Sequence, residues 1–194
     1  MWTPKRPART VGHPASVSSG KAGRIGDVYA IRATKKLLDR LKPPTVEASP
    51  VSTTVLGEWY ATAVFWQPQV AVFVNERTLL PVLMPLAPAA TLPTRFPQHL
   101  AETLAAHGVD ATFIAAELAQ MGDCQIARTA NRSVLGIMND FIRLAEAFCD
   151  HSPTPAELLP LALRLAGTPC GPLRGSHGSP DRELAALVGT GRRR

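Results

Sequence analysis

The chain of 194 residues has few cysteines and no long hydrophobic segment, and both absences restrict what it can be. Its three cysteines, Cys124, Cys149 and Cys170, are widely spaced and form no CxxC pair. This pattern argues against a disulfide framework or a structural zinc site and fits a reducing cytoplasm. The longest apolar run, residues 79–90, is interrupted by three prolines and is too short to span a bilayer. We therefore expect a soluble cytoplasmic protein with no membrane association.

Positive charge is also scarce where a folded nucleic-acid-binding surface would need it. The whole chain carries a net charge of +6, but residues 1–27 contribute +4 and residues 192–194 contribute +3. The remaining residues, 28–191, hold 13 basic and 14 acidic side chains, a net charge of −1. The bulk charge therefore gives no support to a folded body that wraps electrostatically around DNA.

The sequence contains none of the common catalytic or nucleotide-binding motifs: it has no P-loop, GxGxxG, HExxH or GxSxG. His99 and His107 are eight residues apart, which places them about 80° out of phase on a helix and excludes the i,i+4 pair of a zinc protease. A thiol–imidazole pair of Cys170 and His177 is conceivable, but nothing in the sequence would orient the imidazole. We predict no metal and no cofactor.

Composition divides the chain into three parts. Residues 1–27 are rich in proline, glycine, serine and basic residues and lack an apolar signal-peptide core, so we predict a disordered basic N-terminal extension. Residues 28–191 are long enough for one domain with a hydrophobic core and are predicted to form a single α+β domain. Residues 192–194 form a basic tail.

Residues 28–86 are predicted to contain the strands. A short strand at residues 28–32 leads into a helical turn at residues 35–41. Residues 59–66, 69–74 and 78–84 are rich in aromatic and branched side chains and are joined by the short polar turns QPQ and NERT. Loops of this length favour an antiparallel meander. The expected fold is a small antiparallel sheet packed against four or five helices.

The second half of the chain carries helix signals. The predicted helix starts, read from proline and from capping residues, are Pro97, Asp110, Ser133, Thr154 and Ser179. The helix that begins at Ser133 is strongly amphipathic, since its large apolar residues, Phe141 among them, fill one half of the helical wheel. That half is predicted to lie in the core.

Three long segments of the chain resemble a small prokaryotic domain family of unknown function. They are IRATKKLLDRL at residues 31–41, VNERTLLPVL at residues 74–83 and TANRSVLGIMND at residues 129–140. The resemblance extends over residues 29–150. It implies no activity, because the family has none assigned.

The polar residues of these segments fall in three predicted turns: after the first strand, in a hairpin and at the start of the amphipathic helix. Together the turns could hold a phosphate or a carboxylate, which arginine grips with two hydrogen bonds and a helix N-terminus attracts. The candidate ligand-binding residues are Arg32, Lys35, Lys36, Asn75, Arg77, Asn131, Arg132, Ser133 and Asp140. Structural roles remain open beside this hypothesis: Ser133 as an N-cap, Asn75 as a turn former, and Arg132 as the partner of Asp140.

Three functions are compatible with these residues. The first is a non-catalytic cytoplasmic module that binds an anionic ligand, either nucleic acid or a phosphorylated small molecule. The second is a metal-free phosphodiesterase or ribonuclease of toxin type, in which arginine and asparagine stabilise charge and a histidine or aspartate is the base. The third is a structural protein that binds a protein partner through the exposed meander edge. A binding module is favoured over an enzyme, and no catalytic residue can be named.

Overall fold

The structure, a computed structural model, describes residues 26–149 and 151–191. The predicted disordered extension, residues 1–27, lies outside the described residues except for Gly26 and Asp27. The predicted basic tail, residues 192–194, lies outside them entirely.

A five-stranded sheet forms the centre of the molecule. Its strands are β1 (Val28–Ala33), β2 (Trp59–Val64), β3 (Val70–Asn75), β4 (Pro81–Pro85) and β5 (Asp123–Arg128). Their order across the sheet is β4-β3-β2-β1-β5. Strands β2, β3 and β4 form the predicted antiparallel meander, which is confirmed. Strand β1 adds to it in parallel with both β2 and β5, so the complete sheet is mixed.

Six α-helices surround the sheet in the described part of the chain, where four or five were expected. They are α1 (Lys35–Leu41), α2 (Leu92–Ala106), α3 (Ala111–Ala119), α4 (Arg132–Phe148), α5 (Leu158–Ala166) and α6 (Pro180–Gly191). The predicted α+β class is confirmed. None of the helices in the described residues is both long and apolar enough to cross a bilayer.

Both faces of the sheet are covered by helices, so there are two hydrophobic layers. Because neighbouring strand residues point to opposite faces, Trp59 belongs to one layer and Tyr60 to the other. On the first face Phe96 of α2 stacks on Phe73, with ring centroids 4.2 Å apart. On the second face α4 and α5 pack against the sheet, with Phe141 in the centre of this layer. Every residue of β2 and β3 is buried, as expected for strands covered on both sides.

Helix α2 begins at Leu92, so the predicted start at Pro97 is wrong. A proline inside a helix is normally costly because it has no N–H to donate to the carbonyl four residues earlier. Here that carbonyl belongs to Pro93, and it accepts a hydrogen bond of 2.5 Å from the Tyr29 hydroxyl of β1 instead. The helix therefore continues through Pro97 with the unpaired carbonyl satisfied from the sheet.

Three other predicted helix starts are confirmed: Ser179 directly precedes α6, and two more make their capping contacts. The side chain of Asp110 accepts a hydrogen bond of 2.8 Å from the backbone N–H of Thr112 and so caps α3. Thr154 and Glu157 form a capping box at the single 3-10 turn that leads into α5. At Asp110 and at Thr154 the capping residue and the residue that it bonds are only two or three positions apart in the sequence.

Candidate functional site

Strands β1 and β5 lie side by side and in parallel, and the helices that follow them leave the sheet on opposite faces. Helix α1 begins directly after β1 and buries Leu37 in the Trp59 layer. Helix α4 begins after β5 and buries Phe141 in the opposite layer. In open sheets, ligands bind outside the carboxyl ends of parallel strands at the point where the connections diverge in this way. We call residues 32–36 and 128–133 the β1–β5 end.

Arg32 is held at the β1–β5 end by a carboxylate. Its Nε hydrogen-bonds to Glu58 in an ion pair whose two side chains are 17% and 20% exposed. Its Nη1 also donates a hydrogen bond of 3.3 Å to the backbone carbonyl of Arg128. The hydrogen bond to Glu58 raises the pKa of Arg32 above its ordinary value. The guanidinium therefore ties β1 to the residue before β2 and to the end of β5.

A second polar network joins β2, the β3–β4 turn and the start of α4. The Tyr60 hydroxyl accepts a hydrogen bond of 3.1 Å from the Asn131 backbone N–H and donates one of 3.4 Å to Glu76. The side-chain amide of Asn131 donates to the same Glu76 oxygen at 3.3 Å. Burial raises the pKa of Tyr60, so its hydroxyl stays protonated and keeps donating to Glu76.

Asn131 is the N-cap of α4, so the prediction that Ser133 caps this helix is wrong. The side-chain oxygen of Asn131 accepts from the backbone N–H groups of Ser133 (3.0 Å) and Val134 (3.4 Å). The helix consequently begins at Arg132, and Ser133 lies exposed in its first turn. An asparagine caps at least as well as a serine, and here its oxygen reaches the donors that a cap must satisfy.

The β1–β5 end carries several exposed positive charges. Lys36, Arg128 and Arg132 are exposed, and none of them forms a salt bridge among the residues that the structure describes. Lys35 is also exposed, but its ammonium group pairs with Asp39 at 3.0 Å. The structure therefore brings Arg32, Lys35, Lys36, Asn131, Arg132 and Ser133 of the predicted set to one end of the sheet.

The other three predicted residues lie elsewhere. The Arg77 guanidinium donates a hydrogen bond of 2.7 Å to the backbone carbonyl of Val55. Asn75 is fully buried and bonded to backbone groups around its own turn. Asp140 pairs with Arg143 at 3.1 Å, about 12 Å along the helix axis from Arg132. The Arg132–Asp140 ion pair, which the sequence left open, is not the pairing that Asp140 makes.

Glu58, Tyr60 and Arg128 are site residues that were not predicted. Glu58 precedes a buried strand, Tyr60 lies inside it and Arg128 ends another, so each fits an ordinary strand pattern. Only the strand register places them at the site, since Tyr60 lies opposite Arg32 and Arg128 lies opposite Ala33 on the neighbouring strands. No local sequence signal contains that register.

Glu117 of α3 fixes the segment that leads into Glu58. Its carboxylate, in a residue only 1% exposed, accepts hydrogen bonds from the backbone N–H groups of Val55 (2.8 Å) and Leu56 (3.0 Å). Burial raises the pKa of Glu117, against the opposing effects of these N–H donors and of the Arg77 charge. The buried carboxylate of Glu117 therefore helps to position the partner of Arg32.

The raised pKa of Glu117 predicts a pH dependence of stability. A carboxyl whose folded pKa exceeds its unfolded value of about 4.3 stabilises the fold most at low pH and loses that contribution as pH rises through the folded pKa. Urea unfolding from pH 4 to pH 8 should therefore show Glu117→Gln losing its disadvantage against the wild type as the pH rises. A difference that stays constant, or that grows toward pH 8, would contradict the assignment.

Metal and imidazole chemistry receive no support at this end. The described residues contain no group of three or more His, Cys, Asp or Glu side chains that could hold a metal ion. The histidines that the structure describes lie in α2, directly after it, or in the segments before α5 and α6. The carboxylates in the networks of the β1–β5 end are Glu58 and Glu76.

The chain matches the model of a known protein family. The model of a family described as a domain of unknown function (DUF6933) matches residues 30–183. No curated protein matches the chain, and no solved structure does. The matched residues include the β1–β5 end and both of its polar networks.

Proposed function

The chain belongs to the DUF6933 family, whose function is unknown, and we propose that the protein is a binding module for an anionic ligand. The ligand is a nucleic acid or a phosphorylated small molecule, and it binds at the β1–β5 end. The observation that carries the proposal is the divergence of α1 and α4 from adjacent parallel strands. It places the starts of two helices, and three exposed cations, at one end of the sheet.

The charge distribution at this end supports an anion rather than a cation. Glu58 is engaged by Arg32, and Glu76 accepts from both Tyr60 and Asn131, so the two carboxylates are already satisfied. The three exposed cations have no such partner in the described structure. Arginine side chains suit phosphate because their guanidinium groups donate two parallel hydrogen bonds.

Cleavage of phosphodiesters is the second candidate. Glu76 favours it, because a carboxylate held between a tyrosine and an asparagine near Arg32 could accept a proton while the arginine stabilises a phosphorane. Binding through the sheet edge has less support. Strand β4 begins and ends with proline, which cannot donate to an added strand, and Glu47 already donates to Ile126 on the β5 edge at 2.7 Å.

Arg132→Ala tests the proposed function. We expect it to weaken binding roughly tenfold, because a charged hydrogen bond to phosphate is lost, and to change the free energy of unfolding by less than about 0.5 kcal/mol. Binding of inorganic pyrophosphate would be measured by calorimetry, and binding of a fluorescent twelve-nucleotide RNA by anisotropy. Arg143→Ala is the matched control, since it removes an exposed arginine from the same helix away from the β1–β5 end.

Each outcome of this test has one meaning. Loss of binding in Arg132→Ala alone supports the site. Equal losses in both variants would mean that only net charge matters, and a wild-type protein that binds neither probe would rule out the proposed function. Shortening of the RNA by the wild type, abolished in Glu76→Gln, would replace the binding module with the phosphodiesterase.

A further inference from the structure

The solvent face of α1 carries a line of positive charge. Lys36 and Arg40 are exposed and lie one helical turn apart on the same side, while Leu37 and Leu41 are buried on the other. Asp39 is the one carboxylate on α1, and it pairs with Lys35 rather than with either of these residues. Two cations with no ion-pair partner among the described residues therefore follow one another along the helix.

An exposed phenylalanine stands at the end of this line. Phe65 directly follows β2, whose residues are all buried, yet the phenylalanine is 50% exposed. Its ring centroid lies 5.1 Å from the guanidinium carbon of Arg40, a cation–π contact. The other large hydrophobic residues that are exposed in the described structure are all valines. Of the aromatic rings in the part of the chain that the structure describes, Phe65 is thus the most exposed.

The line is continuous with the β1–β5 end. Lys36 belongs to both, because it lies in the first turn of α1, which starts one residue after β1. Arg128 pairs in register with Ala33, the last residue of β1, and so lies beside the start of this helix. We call Arg128, Lys36, Arg40 and Phe65 the basic–aromatic strip.

We propose that the basic–aromatic strip binds a single strand of nucleic acid, whose phosphates contact Arg128, Lys36 and Arg40 and one of whose bases stacks on Phe65. Proteins that bind single strands without sequence preference combine positive charge along the backbone with an aromatic ring under a base. The inference rests on the proposed function and narrows its ligand to a polyanion with unpaired bases.

The three positive charges of the strip and the exposed ring of Phe65 together indicate that the ligand is a single strand. A duplex offers phosphates to the three cations, but its stacked bases cannot reach Phe65. A free phosphate needs no aromatic ring at all. The net charge of −1 for residues 28–191 is not an obstacle, because Asp39, the carboxylate on α1, pairs with Lys35 and leaves the cations of the strip without an ion-pair partner among the described residues.

The test measures binding of fluorescein-labelled dT12, rU12 and a twelve-base-pair duplex to the full chain by anisotropy at several salt concentrations. Phe65→Ala should weaken binding of the single strands by roughly five- to a hundredfold, the range for loss of one stacked base, and Phe65→Tyr should restore it. Arg40→Ala should make the slope of log affinity against log salt shallower by about 0.7. The terminal arginines and lysines are present in every variant, so their contribution cancels.

Arg182→Ala is the control for a general loss of charge. It lies in α6, whose Asp181 is near His107 beyond the C-terminal end of α2. Helix α1 contacts the 3-10 turn at residues 89–91, which precedes the other end of α2, about 22 Å away along that helix. The control should bind each probe as the wild type does.

The inference is overturned if Phe65→Ala binds the single strands as tightly as the wild type, or if the duplex binds as tightly as they do. That failure differs from failure of the proposed function. If Arg132→Ala still weakens pyrophosphate binding, the β1–β5 end stands and only the strip is wrong. If Arg132→Ala changes nothing while Phe65→Ala releases the single strands, the strip stands and Arg132 does not belong to the site.

Discussion

Phe141→Ala is expected to lower the free energy of unfolding by about 3–5 kcal/mol. The side chain is 1% exposed and lies in the layer where α4 packs against the sheet. Truncation removes the transfer free energy of the ring and leaves a cavity that α4, anchored at its start by Asn131, cannot close by moving. Urea unfolding of the two proteins, followed by tryptophan fluorescence, measures the difference.

Phe65→Ala is the matched control, because it deletes the same ring at a position that is 50% exposed. We expect a loss below about 1 kcal/mol there, mostly the contact with Arg40. If the two variants lose the same stability, burial is not what distinguishes these rings. An unchanged midpoint in Phe141→Ala would mean that the apolar half of α4 faces a partner rather than the core.

Much of the fold could be predicted because its signals are local. The amphipathic pattern of α4 and the caps at Asp110 and Thr154 act within one or two turns of the residues that carry them. The three strands of the meander are joined by loops too short for any other arrangement. The class and the meander followed from these features.

What the sequence could not show depends on distant contacts. Pro97 looks like a helix start until Tyr29, 64 residues away from Pro93, supplies the hydrogen bond that the proline cannot make. The parallel pairing of β1 with β5 is likewise invisible, because about ninety residues separate the two strands. This pairing extends the sheet that β1 forms with the meander and creates the end at which the candidate site lies.

The candidate site was predicted only in part, because some of its residues are brought together by contacts between distant segments of the chain. The prediction included Arg32, Arg132 and the residues next to them because they lie at the ends of strands or helices, where polar residues indicate a candidate site. Tyr60 stands inside a buried strand, and only its register against Arg32 shows that its hydroxyl reaches Asn131. Arg77 was predicted as a ligand-binding residue because it lies in a turn, although its guanidinium donates a hydrogen bond to the Val55 carbonyl.

Asn75→Ala should cost about 3–4 kcal/mol, far more than expected of a turn residue. Its side-chain oxygen accepts from the backbone N–H of Arg77 (3.1 Å) and from the N–H (2.9 Å) and hydroxyl (3.0 Å) of Thr78. Its amide donates to the backbone carbonyls of Leu56 (3.0 Å) and Glu58 (3.3 Å). Asn75 is 0% exposed, so alanine would leave several buried groups without a partner or access to water. Thermal and urea unfolding would both report this loss.

Asn131→Ala is the control, since it deletes the same amide from a partly exposed N-cap and should cost only about 1 kcal/mol. The two variants should also differ in binding. Loss of Asn75 removes one of the two hydrogen bonds to the Glu58 carbonyl, which also accepts from the Glu76 backbone N–H, and so disturbs the partner of Arg32. Loss of Asn131 acts directly at the start of α4. If Asn75→Ala were as stable as the wild type but failed to bind pyrophosphate, the residue would be a ligand contact after all. A large loss of stability, with the remaining folded protein still binding, would show that Asn75 builds the turn that holds Glu58 and does not touch the ligand.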